Sequence, residues 1–205
     1  DDRFETRVND HRVGYFVNKS TDLTSYDNFP NFALINKWRL IKKDPNAEMS
    51  EPEEPIVFWV ENTTPEEIIP AVVAGIENWN MAFEEAGFIN AVVAKIQPKD
   101  AKWDAADYDY NVVRWSSEPD GNLLGIGPSV TNPLTGEIIS GDVVNKLLAV
   151  KVGYNYRKLY GYTEDKDPLM QYITNLTLHE VGHVLGLRHN FRGSYLYSPA
   201  EIHNK

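Results

Sequence analysis

The chain has 205 residues, 42% of them hydrophobic and 24% charged, the composition of one folded domain with a real core and not of a disordered tail. Thirty acidic against twenty basic residues leave a net charge of −10, which repels a phosphate backbone and argues against nucleic acid as a partner. No apolar run approaches the roughly 18 residues of a membrane span, so the chain is expected not to be membrane-embedded, and with no cysteine only histidines and carboxylates remain as metal ligands.

The chain starts at Asp1 without a basic and apolar leader, which reads as a piece processed from something longer. Sequons occur at Asn18, Asn62 and Asn175; the last is expected inside a packed helix, so glycosylation is not anticipated. Over 1–43, extended-looking runs at 12–17 and 33–41 flank a Ser, Asn, Asp and Pro cluster and predict a hairpin-like extension. Residues 44–55 carry three prolines and five acidic residues, which predicts a solvated connector and puts the domain boundary there. The expected organisation is 1–54 as extension and connector and 55–205 as the main domain.

Residues 56–60 (IVFWV) are continuously apolar, as in an interior strand covered by helices on both faces. Thr64, Pro65 and Glu67 supply an N-cap, a first-turn proline and a capping-box glutamate, predicting a helix over 64–86 that bends at Pro70 and stops at Gly87. Short β-rich runs at 91–96 and 112–115 follow. Residues 125–130 (GIGPSV) predict an edge strand, since Pro128 lacks a ladder donor. A turn at 133–136 leads into a further extended run at 137–144, and 145–160 mixes helical spacing with many tyrosines.

Asp167 before Pro168 is a helix start, with an apolar stripe at Leu169, Ile173, Leu176, Val184 and Leu185. On that helix lies HEVGHVLGLRH, residues 179–189. His179 and His183 stand one turn apart on one face, the spacing at which two imidazoles reach one ion. Glu180 falls beside the open coordination position, where a carboxylate can take a proton from water. Gly186 ends the helix and lets the chain reverse, so that His189 returns as a third ligand. From the chain's own His, Glu and Gly counts, an accidental HExxHxxGxxH has odds on the order of 1 in 100,000.

At these residues the sequence resembles the metzincin metallopeptidases, whose long zinc motif is HExxHxxGxxH followed by a methionine-containing turn. The layout from residue 55 onward is similar to the upper subdomain of that fold. The segments IENWNMAFEEAGF and HNFRGS look most like a large group of bacterial secreted zinc-dependent metalloproteases. The resemblance implies an α+β fold, with a mixed, mostly parallel, twisted sheet of about five strands, a sheet-packing helix and a zinc-binding helix. It implies Zn2+ held by His179, His183 and His189, with Glu180 as general base. It further implies endopeptidase activity on peptide or protein substrates and a secreted, periplasmic or cell-surface location. Met49, Met81 and Met170 all precede His179, so the methionine turn and the lower subdomain are expected to be missing and the fragment alone to have little or no activity.

Other candidates weigh less. His11 and His203 lie outside any ligand spacing. Asp100, Asp104, Asp107 and Asp109, and the turn at 120–122, lack the spaced loop of a calcium site and are expected to be solvated. The tyrosines of 154–162 are expected to pack on the core with exposed tips. The alternative to a peptidase is a non-catalytic peptide-binding or scaffolding domain of the same fold; the retained Glu180 favours catalysis.

Overall fold

A computed structural model describes residues 3–24, 26, 31–118, 124–163 and 167–202. The turn at 120–122 and His203 lie outside the described residues. In chain order the elements begin with an antiparallel hairpin of β1 (Val17–Thr21) and β2 (Asn31–Ile35), then β3 (Ile56–Val60). Helices α1 (Ile69–Glu77) and α2 (Asn80–Glu85) precede β4 (Val92–Ile96) and β5 (Asn111–Ser116). Four short strands follow: β6 (Gly125–Ile126), β7 (Ser129–Thr131), β8 (Ile138–Gly141) and β9 (Val143–Lys146). The last two helices are α3 (Leu147–Tyr160) and α4 (Pro168–Val184).

The main sheet has the order β4-β3-β5-β9-β6; its first four strands are parallel and β6 is antiparallel at the edge. The fold is therefore the expected α+β arrangement with a mostly parallel, five-stranded mixed sheet. Ile56, Phe58 and Val60 are buried in one cluster with Val72 and Ile76 of α1 and Ile173, Val181 and Val184 of α4. The opposite face of β3 is not helix-covered as expected. There Trp59 meets Trp103 edge-on at 5.5 Å, and Trp103 stacks on Tyr110 at 4.0 Å, so the 98–110 loop supplies the cover.

The helix predicted over 64–86 is three pieces. A 3-10 turn at 66–68 precedes α1, and Pro70 sits in the first turn of α1, where its missing N–H costs nothing, so it opens the helix instead of bending it. The cap of that turn is Pro65 and not Thr64, and no side-chain bond caps it; Glu67 pairs with Arg157 at 3.2 Å. A break at Asn78 and Trp79 lets the Asn80 amide bind the backbone of Val92 through both its atoms, at 2.8 and 3.0 Å. The predicted strand 125–130 likewise divides: β6 stays on the main sheet, while β7 leaves at Pro128 to pair with β8.

Helices α1 and α4 cross in near-backbone contact, because a Cβ on Gly75 would stand 2.6 Å from Thr177 Cβ. Helix α3 packs on α4 through Ala149 and Gly153, the latter leaving room for Leu169. The tyrosines therefore are not core residues: Tyr154, Tyr156, Tyr160 and Tyr162 are exposed. They sit beside the small-residue stripe that makes the contact, and large side chains there would hold the helices apart. Asn175 lies in α4 as expected but faces solvent; Asn18 and Asn62 are tied to Thr131 and Pro98 by hydrogen bonds of 3.0 and 3.1 Å.

The 44–55 connector is more ordered than its composition predicts. Ser50 and Pro52 are buried, and the Lys42 ammonium donates to the carbonyls of Ala47 and Glu48. Upstream of it, the chain runs behind the end of α4. The Phe16 N–H donates to the Gly186 carbonyl, the Arg188 N–H donates to the Gly14 carbonyl, and the Asn36 N–H donates to the Phe16 carbonyl, each at 2.8 Å.

Candidate metal centre

The N-terminus of α4 is fixed by Asp167, whose carboxylate accepts from the Leu169 N–H at 3.0 Å and forms a two-point ion pair with Arg157 of α3. That pairing holds the Asp167 carboxyl below the usual carboxylate range; its hydrogen bond with Arg157 contributes most. The C-terminus closes in a Schellman motif: Leu187 N–H donates to the Gly182 carbonyl and Gly186 N–H to the His183 carbonyl, both at 2.9 Å. Gly186 has φ +99°, and a Cβ there would stand 2.3 Å from the Asn36 carbonyl oxygen, so two independent constraints demand glycine.

This reversal returns His189 over the helix face, as the motif predicts. Its Nε2 lies 3.0 Å from His179 Nε2 and 3.2 Å from His183 Nε2, and the three donor atoms all lie within 4.8 Å of one another. His183 Nδ1 is 2.8 Å from the Leu187 carbonyl. A carbonyl only accepts, so the proton sits on Nδ1 and leaves the Nε2 lone pair facing the other two rings. Three such nitrogens cannot satisfy one another by sharing hydrogens. Nitrogen ligands of a tetrahedral zinc, at roughly 2.0–2.1 Å from the ion, would stand about 3.3 Å apart. The set fits one small borderline-soft cation, and the bond from Leu187 is the kind of outer support such ligands ordinarily have. Burial, followed by the proximity of His183 and His189, lowers the pKa of His179, which favours the neutral, ligating form.

Glu180 is 7% exposed, unusual for a carboxylate. It lies under the edge strand, where a Cβ on Gly125 would stand 3.0 Å from Glu180 Cγ and 3.1 Å from Oε1. Among the described residues no hydrogen bond donor meets its carboxylate. Burial raises its pKa against the opposing pull of His183 and His189, which suits a group that must accept a proton near neutral pH.

The histidines open into a cleft of about 420 Å³ also walled by Trp79, Leu187, Asn190 and Phe191. Trp79 enters because Gly182 has no side chain: a Cβ there would lie 2.7 Å from the indole, whose N–H donates to the Leu178 carbonyl at 2.9 Å. None of Met49, Met81 and Met170 lines the cleft. His11 is exposed, and the histidine trio is the only such ligand cluster among the described residues. Asp104 and Asp107 instead accept from the backbone N–H groups of Ala106 and Asp109.

Sequence reasoning missed two contributors. Phe16 presents its ring edge-on to the His183 imidazole at a centroid distance of 5.7 Å, and nothing local to residue 16 signals it. Gly125 and Gly127 both face α4, against the side chain and the carbonyl of Glu180. That pair was legible, since glycines two apart in a strand share a face and mark a close backbone approach.

A family model described as Met-zincin matches residues 162–205, the segment holding α4, Glu180 and the three histidines. This agrees with the metzincin resemblance of the motif and supports chemistry of the zinc metallopeptidase type. No curated protein and no solved structure matches the chain.

Proposed function

With the Met-zincin match as premise, we propose that this chain carries the zinc site of an endopeptidase, with His179, His183 and His189 as ligands and Glu180 as general base. The observation that carries the reading is the convergence of three Nε2 atoms beside a buried, hydrogen-bond-free carboxylate. Zinc, when bound, would acidify a coordinated water and polarise the scissile carbonyl. Glu180 accepts the proton from the attacking water on a carboxylate oxygen and can return it to the leaving amine. Its burial keeps competing water away and brings its basicity toward the working pH.

Edge strand β6 offers the peptide a place to lie. Among the described residues it pairs with β9 on one side only, as the last strand of the sheet, and Gly125 within it and Gly127 just after it lie against the Glu180 side chain and carbonyl. An extended substrate adding to the free side would bind through main-chain hydrogen bonds, which fix the register of the scissile bond without demanding a particular sequence. Pro128 limits that free edge, so only a short stretch pairs.

The test is zinc titration followed by a mixed peptide-library digest, with Glu180→Gln in parallel. The parent, assayed in its full-length protein, is expected to bind one zinc and cut peptides. The variant keeps zinc but loses at least roughly a hundredfold in turnover, because an amide cannot take the proton. Zinc binding with no cleavage of any peptide by the parent would favour the non-catalytic peptide-binding alternative.

A further inference from the structure

The three histidines account for the metal, but not for what holds two of them in place. His183 is oriented by the Leu187 carbonyl, and His189 follows two residues later, so both depend on the position of the 186–188 loop. That loop has no regular structure of its own beyond the helix cap. Its backbone is instead tied to a segment from the opposite end of the chain. Gly14 accepts from Arg188, Phe16 donates to Gly186, and Tyr15 and Leu187 form an antiparallel bridge between these bonds. The same segment places the Phe16 ring edge against the His183 imidazole, 69° from parallel.

We propose that residues 14–16 are a positioning strap for the metal ligands, with Phe16 as its side-chain contact. The backbone bonds set where the loop lies, and thereby where the Leu187 carbonyl meets His183 Nδ1 and where His189 starts its return. The Phe16 ring blocks rotation of the His183 imidazole about its own axis. It is 38% exposed, so most of its surface is covered although it belongs to no core cluster. Groups that orient metal-bound histidines typically change affinity by 10–100-fold when removed. The segment classed by composition as an extension is thus part of the metal site's supporting shell.

This inference rests on the three-histidine site, and the experiment separates the two. The whole chain is stripped of metal and titrated with zinc against a chromophoric chelator, then loaded with cobalt for its visible absorption spectrum. Parent, Phe16→Ala, Phe16→Tyr and Phe32→Ala are compared; Phe32 is an exposed aromatic of the same hairpin, on β2. Phe16→Ala is expected to bind zinc at least about tenfold more weakly and to shift or weaken the cobalt bands. Phe16→Tyr, which keeps the ring, restores both, and Phe32→Ala matches the parent. Melting of the metal-free proteins tells positioning from general damage, because the strap predicts a loss of affinity larger than the loss of metal-free stability can explain. Should Phe16→Ala fail to fold, Phe16→Leu keeps the bulk without the aromatic edge and carries the same expectation. Parent-like zinc affinity and cobalt spectrum in the folded Phe16 variant would overturn the strap, and so would equal losses in Phe16→Ala and Phe32→Ala. A parent chain that binds no zinc would instead overturn the metal site itself.

Discussion

Gly125→Ala separates catalysis from folding at a single methyl group. The added Cβ would stand 3.0 Å from Glu180 Cγ and 3.1 Å from Oε1, against an ordinary contact of about 3.5 Å or more. The obstacle is the end of a side chain, so Glu180 can retreat by about half an ångström while the backbone stays. The overpacking cost, at the low end of about 1–3 kcal/mol, is offset by the stabilisation of about 0.4–1 kcal/mol that Gly→Ala brings through the unfolded chain. The melting temperature should change little. Turnover should not be spared: a misplacement of about 1 Å costs on the order of a hundredfold, so half of that predicts a fall of about tenfold. Gly127→Ala provides the contrast, since its Cβ would meet the Glu180 carbonyl oxygen at 2.3 Å. A helix backbone cannot rotate away, so β6 must lift off, at a cost of about 2–3 kcal/mol and a melting temperature lower by roughly 5–10 °C. The assays are peptide hydrolysis by the full-length protein at saturating zinc, metal content and thermal melts. Parental turnover in zinc-loaded Gly125→Ala, or an equal loss of stability in both variants, would refute the reasoning.

Gly186→Ala should cost about 3–5 kcal/mol, combining the positive φ with the clash on Asn36 and the loss of the strap's bonds; thermal melting and zinc titration should both register it. Asp167→Ala should lower stability by about 2–3 kcal/mol through loss of a helix cap and of a charge-assisted pair with Arg157. Because the folded protein holds the Asp167 pKa down, its contribution is complete above the unfolded value of about 3.9 and is lost as pH falls through the lower folded value. The gap in melting temperature between parent and variant should therefore be constant from neutral pH to about pH 5 and close in more acid buffer. Zinc occupancy should decline as pH falls below about 6.5, because the imidazoles must be neutral to ligate; equilibrium dialysis across that range checks it.

What the sequence revealed and what it hid divide by range. The histidine-bearing helix was legible from local chemistry alone: Asp167 and Pro168 start it, Gly186 ends it, and the histidine spacing follows from the helical repeat. The parallel core was legible because IVFWV is continuously apolar, although its second face is half-buried under the 98–110 loop and not under a helix. Helix 64–86 was over-extended, because an unbroken amphipathic pattern says nothing of Asn80 reaching across to Val92. Aromatic bulk is the usual signal for burial, which is why the tyrosines of 154–162 are expected on the core with exposed tips, whereas the contact with α4 is made where bulk is absent, at Ala149 and Gly153. The tie between Phe16 and Gly186 had no local trace, since backbone hydrogen bonds leave no preference for residue type at either end.

That tie joins stretches separated by almost the whole length of the chain, and it bears on the order in which the molecule assembles. Loop closure over so long a span is entropically unfavourable until the sheet and its helices have drawn the ends together. The crossing of α1 on α4 at Gly75 and Thr177 can form earlier, from segments that already pack on the nascent sheet. On this sequence of events the histidine trio is the last feature to take shape. A newly made chain would therefore be without a finished metal centre until its two ends have met.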